Sequence, residues 1–296
     1  MNIEEIINQI PDWQKAKTIR HEPLSGGYSN TVYKVFVDDK IYALRINGKQ
    51  NEFLGLEYKD EIEIIAQAAK HDLTPMVLEC KNKSDFLITD FIYGTKLSEE
   101  QIKNTDNLKK VISILKKIHK IPYSGKRCST PFSLTRGYLQ GAERLGIPCP
   151  TDLKEFLKEV NAIEKIRQND PDYQKHYCHN DAFAYNMMVC DNGDIKIIDW
   201  ELSGLGDIWF DLATLSFSCG FDHISDEIML ESYFGSSDEL KHKTLGEMKF
   251  VCMVREIGWA LLHTALDKNK PIPGPGYMDF ANSVLNRLKQ GLVTLV

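Results

Sequence analysis

Apolar and polar residues change their period partway along this chain. Ahead of Gly94, short β-rich runs alternate with helix-like ones. Ile3-Glu4-Glu5-Ile6-Ile7 reads as a short helix that Pro11 stops. The run from Leu24 to Val37 is rich in β-branched and aromatic residues, breaks at Asp38-Asp39 and resumes over Ile41 to Ile46. That pattern predicts a glycine-containing hairpin followed by a third strand. Residues 56–70 predict a helix with Ile62, Ile65 and Ala69 on one face, and two strands follow over 76–80 and 86–92, ended by Gly94.

Beyond residue 95 the period is helical. Leu108, Val111, Ile112, Leu115 and Ile118 keep that spacing, as do Leu153, Phe156, Leu157 and Val160. Residues 247–266 and 279–292 predict two more helices, separated by the proline- and glycine-rich loop 271–276. Embedded in this half is a strand-turn-strand signal: Met187 to Cys190, then Asp191-Asn192-Gly193-Asp194, then Ile195 to Ile198. With Asn192-Gly193 as the two turn residues, Asp191 pairs with Asp194, Cys190 with Ile195, and finally Asn186 with Asp199. Directly opposed residues have Cβ atoms roughly 4.5–5.5 Å apart. The hairpin therefore brings an amide oxygen and a carboxylate to one point, both hard donors suited to Mg²⁺. Asp181, on the loop upstream, would reach a substrate hydroxyl. An Asp on the hydroxyl with Asn and Asp on the metal is a minimal set for phosphoryl transfer from ATP. A surface hairpin with polar ends is the plainer reading. It does not account for oxygen donors at both mirror positions together with His179-Asn180-Asp181.

Composition narrows the class. With 296 residues the chain is long enough for two lobes, or for one compact domain. Hydrophobic content of 43% and charged content of 26% are ordinary for a globular protein. A net charge of −6 and the lack of a basic run argue against a nucleic-acid partner. No apolar stretch approaches the roughly 18 residues of a membrane span, and the acidic start Met1-Asn2-Ile3-Glu4-Glu5 does not resemble a signal peptide. Seven scattered cysteines without a C-x-x-C pair fit reduced thiols, hence a cytoplasmic location.

The block His179-x-Asp181-x-x-x-x-Asn186, followed by Ile198-Asp199-Trp200-Glu201 and later by Asp207-x-x-x-Asp211-Leu212-Ala213, resembles the aminoglycoside phosphotransferase and choline kinase superfamily, relatives of protein kinases. The resemblance extends to Gly26-Gly27-Tyr28-Ser29-Asn30 and to Leu44-Arg45-Ile46-Asn47-Gly48, as in choline-kinase-like proteins. It implies an α+β, protein-kinase-like fold: a small β-rich lobe over residues 1–93 and a larger helical lobe over 94–296, with ATP between them. Gly26, Gly27, Ser29 and Asn30 would approach the phosphates, where glycine leaves backbone N–H groups open. Gly-Gly between strands is by itself an ordinary turn, and no Walker A pattern is present. Arg45 stands where most protein kinases carry lysine, with Glu61 as its helix partner; Glu57, Asp60 and Glu63 are its neighbours in sequence. Backbone groups near Thr89, Asp90 and Ile92 would meet the adenine.

The same resemblance assigns Asp181 to catalysis and Asn186 and Asp199 to Mg²⁺. It implies a small-molecule acceptor carrying a hydroxyl, with choline or ethanolamine first. Aromatic faces attract quaternary ammonium, and Trp200, Glu201, Trp209, Tyr233 and Trp259 are the candidates for that subsite. Glu201 and Trp259 are preferred. Trp259 matches the first tryptophan of the choline kinases' Trp-x-x-Trp helix, whereas the second position is Leu262. Aminoglycoside phosphotransferase and thiamine kinase are the alternative readings, and an inactive nucleotide-binding module is the alternative from another class. The intact Asp181, Asn186 and Asp199 count against the last.

Overall fold

In the structure, a computed structural model describing residues 2–24, 30–78, 85–122, 125–171, 173–267 and 276–291, the first sheet is built on an amphipathic helix. Helix α1 (Ile3–Ile7) is closed by a reciprocal capping box between Asn2 and Glu5. Strands β1 (Ile19–Leu24), β2 (Thr31–Val37) and β3 (Lys40–Ile46) run antiparallel in sequence order. Two helices follow, α2 (Gln50–Leu54) and α3 (Tyr58–Lys70), and then β4 (Phe86–Asp90), which completes the sheet beside β3. Of the strand expected over 76–80, Val77 forms a single bridge to Thr89; residues 79 and 80 lie outside the described set.

Strand alternation divides the core. Phe86 and Ile88 join Ile6, Trp13, Val35 and Leu44 on the α1 side, while Leu87 faces α3 with Ile64, Ile65 and Ala68. The buried face of α3 thus falls on Glu61, Ile64, Ile65, Ala68 and Ala69, with Ile62 only half-buried, a small rotation from the face that the sequence predicts. Helix α2 was not predicted, because it turns polar Gln50 and Asn51 inward. Its end is set by Gly55, left-handed at φ 66°, which also separates it from α3.

The remainder is mainly helical. Strand β5 (Gly94–Lys96) leads into α4 (Glu99–Lys103), α5 (Thr105–Ile118), α6 (Pro131–Arg144) and α7 (Thr151–Asn169). Then come β6 (His176–Cys178), β7 (Met187–Cys190), β8 (Ile195–Ile197) and β9 (Gly204–Gly206), forming the antiparallel sheet β5-β7-β8 and the pair β6-β9. Helices α8 (Ile208–Cys219), α9 (His223–Phe234), α10 (Glu239–Leu266) and α11 (Tyr277–Lys289) close the fold. Buried nearly all round over 248–263, α10 is the post against which α6, α8 and α11 pack. Two glycines let α2 dock on α6: a Cβ at Gly137 would meet Leu54 at 2.9 Å, and one at Gly141 would meet Phe53 at 2.9 Å. No helix among the described residues is long and apolar enough to cross a membrane, and the six described cysteines are free thiols.

Candidate active site

Asp211, fully buried on α8, organises the loop that follows β6. Its carboxylate accepts the backbone N–H groups of His179 and Asn180 at 2.8 and 2.6 Å and faces His119 Nε2 at 2.9 Å. Asn180 takes the left-handed conformation (φ 62°) and donates its amide to the carbonyls of Ser129 and Leu202. His179 Nε2 lies 3.1 Å from the Ile198 carbonyl, so that nitrogen donates, and the ring stands edge-on to Trp200. Burial lowers the His179 pKa, which favours the neutral imidazole. His179 and Asp211 therefore hold the loop in place.

The hairpin differs from its expected register by one residue. Observed partners are Met187 with Ile197, Met188 with Lys196 and Val189 with Ile195. The turn has three residues rather than two: Cys190 exchanges backbone bonds with Gly193 and Asp194, and Gly193 sits at φ 83°. Ile198, not Asp199, stands opposite Asn186, with its N–H 2.9 Å from the Asn186 carbonyl. In a regular strand such a slip would send the Asp199 side chain to the other face. Asp199 instead lies beyond the last strand residue in the left-handed region, φ 66°, where strand alternation no longer sets its direction. Asn186 and Asp199 line the same cavity.

That cavity, about 860 Å³, also takes in Asp181, Asn30, Arg45, Thr89, Asp90, Ile92 and Trp259. Asn186 donates its side-chain amide to the carbonyl and to Oδ2 of Asp181, at 2.9 and 2.8 Å. Arg45 donates to Glu61 Oε2 at 2.7 Å and to Asp199 Oδ1 at 3.0 Å. Of the acidic residues near the start of α3, it is thus Glu61 that β3 meets. Burial works against the Arg45 charge, and Glu61 with Asp199 more than offsets it, holding its pKa above the ordinary value. Burial raises Asp199 to about 6, against Arg45 and with help from Asp181 and Glu61. Burial likewise raises Glu201 to about 8. Glu201 lines the cavity with its oxygens engaged by Asn30 (3.1 Å) and by Gln50 on α2. Residues 25–29, and so Gly26, Gly27 and Ser29, lie outside the described set.

Trp259 packs against His263 at 4.9 Å and edge-on to Tyr277 at 5.3 Å, with Phe280 at 6.2 Å. Trp259, Tyr277 and Phe280 all face the cavity. Trp200, Trp209 and Tyr233 do not line it. Trp200 is core and donates to Thr74 Oγ1, Trp209 stacks on Phe234, and the Tyr233 hydroxyl meets His119. Gln50, Arg255 and Glu256 are among the cavity residues that were not anticipated. Arg255 Nη1 and Nη2 lie 3.3 and 3.5 Å from Asp181 Oδ1, and its Nε lies 3.0 Å from Glu256 Oε1. The signal for that pair was available, since Arg255-Glu256 interrupts the apolar run from Phe250 to Leu262. Adjacent charges in an otherwise buried helix need partners.

A β-sheet region joined to a larger helical region, with a clustered Asp-Asn-Asp set between them, defines a phosphotransferase of protein-kinase-like architecture. The chain belongs to the phosphotransferase enzyme family, whose model matches residues 20–242. It is 25% identical over 222 residues to Protein LicA of Haemophilus influenzae, covering 74% of this chain and 64% of that protein's length. Choline kinase LicA from Streptococcus pneumoniae superposes with a TM-score of 0.75 at 23% identity, covering 98% of each chain. LicA in complex with AMP gives a TM-score of 0.74 at 22% identity, covering 99% of this chain and 98% of that one.

Proposed function

We propose that this phosphotransferase moves the γ-phosphoryl group of ATP to the hydroxyl of choline or ethanolamine, with Mg²⁺. The observation that carries the reading is the convergence of Asp181, Asn186, Asp199 and Arg45 on one cavity that Trp259 also lines. The likeness to a choline kinase and to a protein bound to AMP supports the choice of acceptor and of nucleotide.

The residues present fit a divalent cation. Glu61 and Asp199 both pair with Arg45, and Asp199, Glu201 and the Asn186 amide line the same cavity, a set of hard oxygen donors. Asp199 and the amide oxygen of Asn186 are the ligands we assign to Mg²⁺, which when bound would neutralise charge on the β- and γ-phosphates. Arg45, kept in place by Glu61, presents its guanidinium to phosphate oxygens. The segment containing Thr89, Asp90 and Ile92 meets the adenine, beside the apolar side chains of Val32, Ala43 and Leu87. Asn30 donates its side-chain amide to Glu201, and we assign Asn30 with Gly26, Gly27 and Ser29 to the phosphates of the nucleotide.

Asp181 accepts a hydrogen bond from the acceptor hydroxyl and turns its oxygen toward the γ-phosphorus. As the O–P bond forms and the bond to the β–γ bridging oxygen breaks, the hydroxyl proton passes to Asp181. Trp259, with Tyr277 and Phe280, offers the aromatic faces that attract an alkylammonium, and an alkylammonium beside Glu201 would favour that group's ionised form. We place the lobe boundary at 93/94 and the enzyme in the cytoplasm, where its thiols stay reduced and ATP is abundant.

ATP consumption measured against choline, ethanolamine, thiamine and a panel of aminoglycosides tests the assignment. Turnover fastest with choline or ethanolamine is expected. Turnover with aminoglycosides alone would replace the acceptor class and leave the phosphotransfer chemistry standing.

A further inference from the structure

Both oxygens of Asp181 are held, and from different parts of the chain. Oδ2 accepts from Asn186 on the catalytic hairpin at 2.8 Å, while Oδ1 faces the two terminal nitrogens of Arg255 at 3.3 and 3.5 Å. Asn186 alone would leave the carboxylate one anchor and a rotation about Cβ–Cγ. Arg255 comes from α10, its side chain only 2% exposed, so it supplies the second anchor from the rigid centre of the helical region. Its own freedom is small. The guanidinium carbon stands 5.6 Å from the Phe183 ring centroid and 5.4 Å from that of Phe210, and Nε is 3.0 Å from Glu256 Oε1. A cation that is buried among rings and paired with Asp181 is held in place.

We infer that Arg255 is a positioning residue for phosphoryl transfer, fixing the plane of the Asp181 carboxylate so that it meets the acceptor hydroxyl while the hydroxyl oxygen faces the phosphorus. The inference rests on the reading of Asp181 as the residue that acts on that hydroxyl. Arg255 takes no proton and touches no phosphate; it works through Asp181. Misplacing a catalytic group by about 1 Å costs on the order of 10²-fold in rate. The plainer role for Arg255 is to pin α10 to the catalytic loop, and that role affects stability rather than turnover.

A kinetic double-mutant cycle separates the two. In R255M, kcat with choline falls on the order of 10²-fold, the KM for ATP stays unchanged, and R255K, with a single ammonium in place of the fork, recovers part of the loss. On a D181N background R255M adds little further, because the group it positions has gone. An R255M effect that multiplies in full onto D181N, or an R255M kcat equal to that of the native enzyme, overturns the inference and leaves the Asp181 reading intact. A D181N enzyme with native kcat removes the Asp181 reading and Arg255's role with it. If R255M fails to fold, R255K carries the same cycle: reduced kcat alone and no added loss on D181N is expected, and undiminished kcat refutes the role.

Discussion

Arg45 and Asp199 stand 154 residues apart in the chain and meet at 3.0 Å, Nη1 to Oδ1. The same guanidinium holds Glu61 Oε2 at 2.7 Å, so one β3 side chain ties helix α3 to the segment after β8. The Glu61 side chain is 1% exposed and that of Arg45 10%, which makes this pair a buried one.

Removing one member of a buried pair leaves the other charged and unsolvated, at a cost of about 3–5 kcal/mol. Arg45→Met should therefore lower the unfolding free energy by about that much in urea titration. The double variant Arg45→Met/Glu61→Gln should recover part of the loss. A change within about 0.5 kcal/mol for the single variant would mean that the pair is solvated in solution.

How much of this could be read from the chain depends on what kind of signal each residue leaves. The β-rich first third, the α3 and α5 helices and the hairpin after Asn186 were legible because periodicity and turn chemistry are local. The hairpin register was not. Asn-Gly suits both a two-residue turn and the three-residue loop with Gly193 in the left-handed region, and periodicity along the chain does not choose between them. Asp199 still reaches the cavity, because its backbone leaves the strand conformation there. Helix α2 was invisible for a different reason: Gln50 and Asn51 are buried polar residues. Gln50 engages Glu201 and also lies 3.1 Å from His263, partners more than 150 residues away. Arg255 likewise owes its importance to tertiary placement against Asp181, although a charged pair in an apolar run marks it as a residue to question.

Glu256 gives a pH signature in stability. Burial, opposed by Arg255 and reinforced by Asp181, raises its pKa from 4.5 to about 7. Between those values the folded protein keeps a proton that the unfolded chain has lost, so folding stability falls as pH rises through that window and levels off above it. Glu256→Gln removes the cost of ionising the buried group. The Tm difference between this variant and the native protein should move in the variant's favour as pH rises from 5 to 8. Equal differences at both pH values would show that Glu256 does not titrate in this window.

Trp259 lines the cavity, packed against His263 and Tyr277. Trp259→Ala should raise the KM for choline while the KM for ATP holds. The expected loss is about 0.5–2 kcal/mol, the range of a cation–π contact. A variant with an unchanged choline KM would place the ammonium elsewhere.

The central claim is that Asp199 and Asn186 form the metal-phosphate centre of a kinase, and formation of phosphocholine from ATP and choline, followed by ³¹P NMR at saturating Mg²⁺, tests it most directly. The native protein should convert choline with loss of the γ-phosphate signal. Asp199→Ala loses the ion pair with Arg45 and puts alanine at φ 66°, so its Tm should fall, and at a temperature where it remains folded it should form no product above background. Phosphocholine formed at a near-native rate by Asp199→Ala would contradict the assignment.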